Sequence, residues 1–232
     1  MTKKTKSLNR REFFGNAATI GAFGAIGMGA ILSSCAGEKN ETPPGLPPML
    51  KRAPEGKPLK AGIIGCGGRG TGAALNFLNA GDGLSVVALA DMFEDRIAQC
   101  RKKIQEEKQV EVADEMCFHG FDAYKKVIEQ DIDVVIIATP PYFRPDQFKA
   151  AVEARKHVFM EKPIAVDPVG ARSIIASAKK ADTIGLTVVT GTQRRHQHDY
   201  IETYKKVYNG AIGDIVSANV YWNQSKLWHR DR

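Results

Sequence analysis

Cysteine is scarce in this chain, with four in 232 residues, and no two of them form a Cys-x-x-Cys pair or join a histidine cluster. A structural zinc site is therefore not expected, and no metal site is assigned. His196 and His198 stand two apart rather than the four that a helical metal pair requires. No repeat of fixed period is present, which argues against solenoids and propellers. Acidic residues are the minority, 26 against 33 basic, giving a net charge of +7. The excess is concentrated at the start, where Lys3, Lys4, Lys6, Arg10 and Arg11 face only Glu12. The rest of the chain is close to balance, so nucleic acid is not an expected partner. With 43% hydrophobic and 25% charged residues, the composition is that of a folded globular chain.

The basic start gives way to an uncharged run from Phe13 to Ser34, rich in glycine and alanine, which ends in Leu32-Ser33-Ser34-Cys35. Basic head, apolar middle and small-residue end make an export signal over residues 1–35. Arg10-Arg11 followed by Phe13 resembles a twin-arginine signal, and Leu-Ser-Ser-Cys resembles a lipobox with Cys35 as the lipidated residue. The glycines of the run make it a poor membrane-spanning helix. The expected location is a membrane-anchored lipoprotein on the periplasmic or cell-surface side. A route that exports folded proteins suits one that loads its cofactor in the cytoplasm. Residues 36–58, rich in proline and glycine, read as a disordered tether.

From Leu59 onward, short apolar runs alternate with helical patterns. The runs are Lys60–Gly65, Leu84–Ala90, a weak Met116–Phe118, Asp133–Ala138, His157–Met160 and Leu186–Thr190. Helices are expected over Thr71–Ala80, Phe93–Glu107, Tyr124–Glu129, Pro145–Arg155 and Val169–Ala181. Continuous rather than alternating hydrophobicity in the strands means a parallel sheet covered on both faces, an α/β doubly wound domain over residues 59–192. Residues 193–232 then begin a further α+β domain, with Gly213–Trp222 as its first strand.

Gly65-Cys66-Gly67-Gly68-Arg69-Gly70 places three glycines at the G-x-G-x-x-G spacing, between the first strand and the first helix. Gly65 permits a tight turn, Gly67 lets backbone approach a pyrophosphate, and Gly70 lets helix and strand pack closely. The helix start offers N–H groups and a partial positive charge to phosphates. Asp91 ends the second strand 21 residues beyond Gly70. A carboxylate there can accept from ribose hydroxyls and repels a 2′-phosphate, which favours NAD over NADP. The alternative for Asp91 is a helix N-cap. Thr139-Pro140 follows the strongest strand, and Glu161-Lys162-Pro163 follows the next, both where open α/β sheets bind ligands. Lysine at such a position can polarise a hydroxyl or act as acid and base.

Together Gly65-x-Gly67-x-x-Gly70, Asp91, Ala138-Thr139-Pro140 and Glu161-Lys162-Pro163 resemble the Gfo/Idh/MocA oxidoreductases over residues 59–223. The resemblance implies a Rossmann domain followed by an α+β domain with a large open sheet. It implies that Gly65, Gly67, Gly68, Arg69, Gly70, Asp91, Thr139, Pro140, Glu161, Lys162 and Pro163 line the NAD site, with Lys162 as catalytic residue and Pro163 cis. It implies hydride transfer to or from a hydroxyl-bearing carbon of a sugar or polyol. Gly191–Tyr200 resembles the segment that enters the second domain, with Arg194 and Arg195 as candidate substrate contacts or as a basic helix start.

Two departures stand out. Where the family often reads Asn, and His three residues later, this chain has Pro141 and Arg144. The family's later acid/base pair, an Asp and a His, has no counterpart before Arg232, so the chain is expected to be a fragment with weak NAD binding and little turnover. A homo-oligomer is expected only of a full-length protein. Free NAD is scarce outside the cytoplasm, which makes a redox-neutral, NAD-using glycoside hydrolase the alternative. A non-catalytic nucleotide-binding fragment is the third reading.

Overall fold

The computed structural model describes residues 42–44, 46 and 56–223. The expected signal, Cys35 and most of the expected tether lie outside these residues. The chain divides into two units, residues 47–196 and a second made of 1–46 and 197–232.

Among the described residues of the first unit six strands alternate with five α-helices. The strands are β1 (Leu59–Ile64), β2 (Leu84–Asp91), β3 (Cys117–His119), β4 (Val134–Ile137), β5 (His157–Met160) and β6 (Val188–Thr190). The helices are α1 (Gly68–Asn79), α2 (Glu94–Lys108), α3 (Ala123–Ile128), α4 (Arg144–Glu153) and α5 (Pro168–Thr183). Every strand pair is parallel and the sheet order is β3-β2-β1-β4-β5-β6. This is a doubly wound Rossmann sheet, with its topological switch between β1 and β4.

Alternate strand residues point to opposite faces, and each face carries its own core. Ile63, Leu89 and Ile136 pack with Ala74 of α1 and with Ile97, Cys100 and Ile104 of α2. Ile64, Ala90 and Ile137 pack with Val127 of α3, Phe148 and Val152 of α4, and Ile174 of α5. Full burial of one such Ile or Phe is worth about 1.5–3 kcal/mol, so the two cores dominate the stability of the unit. They also explain the near-continuous apolar runs of the central strands, which are covered on both faces, whereas Val189 of the edge strand β6 is exposed.

Helix boundaries follow local chemistry. α5 opens on Asp167, whose carboxylate accepts from the Gly170 amide at 2.7 Å, with Pro168 in the first turn. α1 starts at Gly68, three residues earlier than the apolar pattern indicates, because Gly67 is its cap and the glycines contribute no hydrophobic signal.

In the second unit α6 (His198–Tyr208) is a helix with Tyr204 and Tyr208 ring centroids 6.3 Å apart. Gly213–Trp222, expected as a strand, forms none: residues 213–223 carry no regular structure and Val216 and Val220 are exposed. Strand residues need a neighbouring ladder to satisfy their backbone, and among the described residues no strand of the sheet forms a ladder with this segment. Among the described residues no helix is long and apolar enough to cross a membrane.

Candidate nucleotide site and the strand ends that build it

The turn from β1 to α1 is shaped by backbone contact. Gly65 has φ +96°, and a Cβ there would lie 2.7 Å from the Thr139 amide nitrogen. At Gly70 a Cβ would lie 1.7 Å from the Gly65 carbonyl oxygen. Both positions exclude every residue with a side chain. Gly67 and Gly68 differ in kind, since a Cβ at either meets nothing within 4 Å. Their bareness serves no internal packing and leaves the backbone open to an approaching group. No side chain caps α1 and no acidic residue occupies its first turn, so its opening amides and dipole face that space.

Asp91 reaches this turn. One carboxylate oxygen accepts from the Cys66 amide at 2.6 Å and the other from the Phe93 amide at 3.0 Å. Asp91 is not the cap of α2, which Phe93 fills. Each carboxylate oxygen keeps lone-pair capacity for a further donor. Beneath the turn the Thr71 hydroxyl donates to the Cys66 carbonyl at 3.2 Å, and the Cys66 thiol donates to the Ala90 carbonyl at 3.4 Å. A hydrogen bond with Cys100 and burial push the Cys66 thiol upward, so it stays neutral instead of placing a thiolate under a phosphate site.

The same edge of the sheet carries the other predicted residues. Thr139 is half-buried, with its hydroxyl 2.6 Å from the Gln147 side-chain oxygen; Pro140 is exposed. Glu161 is buried at 6% exposure, and Arg69 bonds its carboxylate at 2.6 Å, linking the glycine turn to the end of β5. A Cβ at Gly191 would lie 2.5 Å from that carboxylate, so the start of the post-β6 loop must be bare to admit it. Lys162 is exposed and the Lys162–Pro163 peptide is cis. Arg194 and Arg195 lie in the short 3-10 turn Gln193–His196 after β6. Among the described residues no group of three or more His, Cys, Asp or Glu is arranged to hold a metal.

Two features escaped the sequence. Arg144, marked there only as a departure, is buried at 5% exposure. Its guanidinium donates to the Thr139 carbonyl at 2.8 Å, to the Glu161 carbonyl at 2.6 Å and to the Pro163 carbonyl. Burial pushes its pKa down, partly offset by the Glu161 charge. The second feature is an exposed ring group, in which Phe143 lies 6.2 Å from Phe121 and 5.2 Å from Tyr142. It sits on the loops after β3 and β4, at the same carboxyl edge of the sheet as Asp91. Charge and ring type are legible in a sequence; burial and cross-loop contact are not.

A parallel doubly wound sheet, a bare glycine turn at its switch point and an acid at the end of β2 define a dinucleotide-binding Rossmann domain. Residues 59–190 match the Gfo/Idh/MocA oxidoreductase family, NAD-binding Rossmann fold, and the chain belongs to that family. It is 28% identical over 155 residues to the myo-inositol 2-dehydrogenase of Thermotoga maritima, covering 67% of this chain and 42% of the relative. It is 33% identical over 193 residues to a glycosyl hydrolase family 109 protein of Bacteroides fragilis, covering 73% of this chain and 38% of the relative. The scyllo-inositol dehydrogenase of Lactobacillus casei, solved with NAD(H) and scyllo-inositol, superposes with a TM-score of 0.56 at 28% identity, covering 68% of this chain and 43% of that one. The chain thus spans under half the length of each of these relatives. Its Rossmann domain is of the NAD-binding kind, and the open space over Gly67 and Gly68 fits that cofactor.

Proposed function

We propose that this chain is part of an NAD-dependent oxidoreductase that moves hydride between NAD and a hydroxyl-bearing carbon of a sugar or polyol. The observation that carries the reading is the Arg69–Glu161 ion pair, which links the glycine turn directly to the segment bearing Lys162. NAD supplies the hydride acceptor or donor. In this reading the α1 amides hold the pyrophosphate, Asp91 accepts from the ribose hydroxyls, and the exposed rings of Phe121, Tyr142 and Phe143 offer the base an apolar surface. Thr139, Pro140, Glu161 and Pro163 shape the nicotinamide side. Lys162 binds the substrate oxygen, takes the hydroxyl proton, holds the resulting alkoxide with its ammonium while hydride passes from the carbon to NAD+ and the C–O bond becomes C=O, and returns the proton in the reverse direction. Arg194 and Arg195 are candidate substrate contacts.

Inositol dehydrogenases among the relatives support a polyol substrate. The hydrolase relative favours one alternative, transient oxidation beside a glycosidic carbon followed by elimination, hydration and re-reduction. The two separate by product. The protein is incubated with NAD+ and either myo-inositol or an aryl glycoside. NADH formed in step with a ketone supports dehydrogenation; free sugar without net NADH supports hydrolysis. Dinucleotide binding with neither conversion leaves the non-catalytic reading. Export as a lipoprotein through Cys35, with NAD held tightly from the cytoplasm onward, is part of the same proposal.

Asp91→Asn tests the ribose contact. One acceptor oxygen becomes an NH2 facing a backbone amide, and the charge that repels a 2′-phosphate disappears. The Kd for NAD+ should rise about tenfold, in line with losing a charge-assisted hydrogen bond, while the Kd for NADP+ falls or stays level. Parallel loss of affinity for both nucleotides, with no change in their ratio, rules the contact out.

A further inference from the structure

We propose that Arg144 positions Lys162: one buried guanidinium binds the two carbonyls that flank Lys162 and the carbonyl of Thr139, fixing the ends of β4 and β5 to each other. The inference rests on the reading of Lys162 given above and adds to it a residue 18 positions earlier in the sequence.

The geometry is specific. Nε bonds the Thr139 carbonyl at 2.8 Å, and one Nη bonds the Glu161 carbonyl at 2.6 Å and the Pro163 carbonyl. Glu161 and Pro163 are the residues immediately before and after Lys162, so the guanidinium straddles the lysine's own backbone. Side chains at a helix start lean back toward the preceding turn, and Arg144 is the first residue of α4, which aims it at the strand ends. Gln147, one turn on and also buried, bonds the Thr139 hydroxyl at 2.6 Å. The first turn of α4 thereby holds both the carbonyl and the hydroxyl of Thr139.

A buried cation bonded to carbonyl oxygens is costly unless several bonds compensate it. The same three carbonyls lie past the ends of their strands, where no ladder satisfies them, and a buried carbonyl without a donor is costly too. Each problem solves the other. Only a planar fork serves acceptors spread over two loops; a lysine ammonium reaches them as a single point. Arg144 touches no reacting atom in this arrangement, so it is a positioning residue. Its own exposure of 5% leaves it no part in binding substrate directly.

The test uses Arg144→Lys and Arg144→Met in the whole chain, with two readouts. The first is amide hydrogen exchange across residues 159–165 without ligand. The second is the Kd for NAD+ set against that for ADP-ribose, which lacks the nicotinamide. In Arg144→Lys, exchange at Glu161, whose amide donates to the Ile137 carbonyl at 2.9 Å, should quicken about tenfold, as expected when a local anchor is lost. NAD+ should bind about tenfold more weakly while ADP-ribose stays within about twofold, because the defect is confined to one half of the site. A general loss of stability would weaken both nucleotides alike, and that result overturns the proposal, as does unchanged exchange. Should Arg144→Met fail to fold, Arg144→Lys keeps the charge and most of the volume and decides alone. If the unaltered chain binds neither nucleotide, the proposed function falls, and the exchange measurement still judges Arg144.

Discussion

Gly70→Ala is expected to abolish dinucleotide binding and to lower the melting temperature by several degrees. The added methyl would sit 1.7 Å from the Gly65 carbonyl oxygen, and within 3.3 Å of the Ala138 side chain. Neither the glycine turn nor α1 can yield without moving the other, since the contact is backbone on backbone. Overpacking of this kind costs about 1–3 kcal/mol, which in a domain of this size moves Tm by about 3–10 °C. The shift that relieves the clash also separates the α1 amides from the position where they meet a phosphate. Gly67→Ala is the matched control. Its φ of −67° and ψ of −177° are open to alanine, and its Cβ meets nothing within 4 Å. Tm should stay level while NAD+ affinity falls about tenfold or more, because the methyl occupies space that only a ligand would use. Thermal melts and NAD+ titrations of both variants check this. Full NAD+ affinity in Gly67→Ala would show that no cofactor approaches there.

Lys162→Met should lose about 10²–10⁴-fold in turnover, the range that a positioned acid or base contributes. Its side chain is exposed, so Tm should stay where it is and NAD+ should bind within about threefold of the unaltered affinity. Lys162→Arg should not restore activity, since a guanidinium does not release a proton near neutral pH and its fork has a different reach. The measurement is single-turnover hydride transfer with the substrate identified from the product analysis above. Turnover within tenfold of the unaltered protein removes Lys162 from the chemistry. Combined with Gly70→Ala, the two variants separate holding the cofactor from using it.

Much of this site can be seen in the linear chain because its chemistry is local. Gly65, Gly67 and Gly70 act within one turn. Asp91 ends an apolar run, and its carboxylate meets the Cys66 amide, as its spacing from the glycines suggests. Helix starts at Pro168 and strand runs such as His157–Met160 are likewise set by neighbours in sequence. The errors share a cause. Gly213–Trp222 has the alternation of a strand, yet a strand exists only with a partner, and the pattern holds no information on whether one is near.

Sequence alone determined the order of elements, the parallel covered sheet, the turn that needs glycine and the acid beside it. Each follows from side-chain period, backbone permission or spacing along a few tens of residues. Tertiary structure decided the rest: that Glu161 is buried against Arg69 and a bare Gly191, and that Arg144 turns inward to grip three carbonyls from two loops. Apart from the bond between Arg144 and Thr139, which are 5 positions apart, those bonds join residues 17 to 92 positions apart. A charged residue reads as solvent-facing until the fold places acceptors around it, and only the packing of strand ends against the first turn of α4 does so.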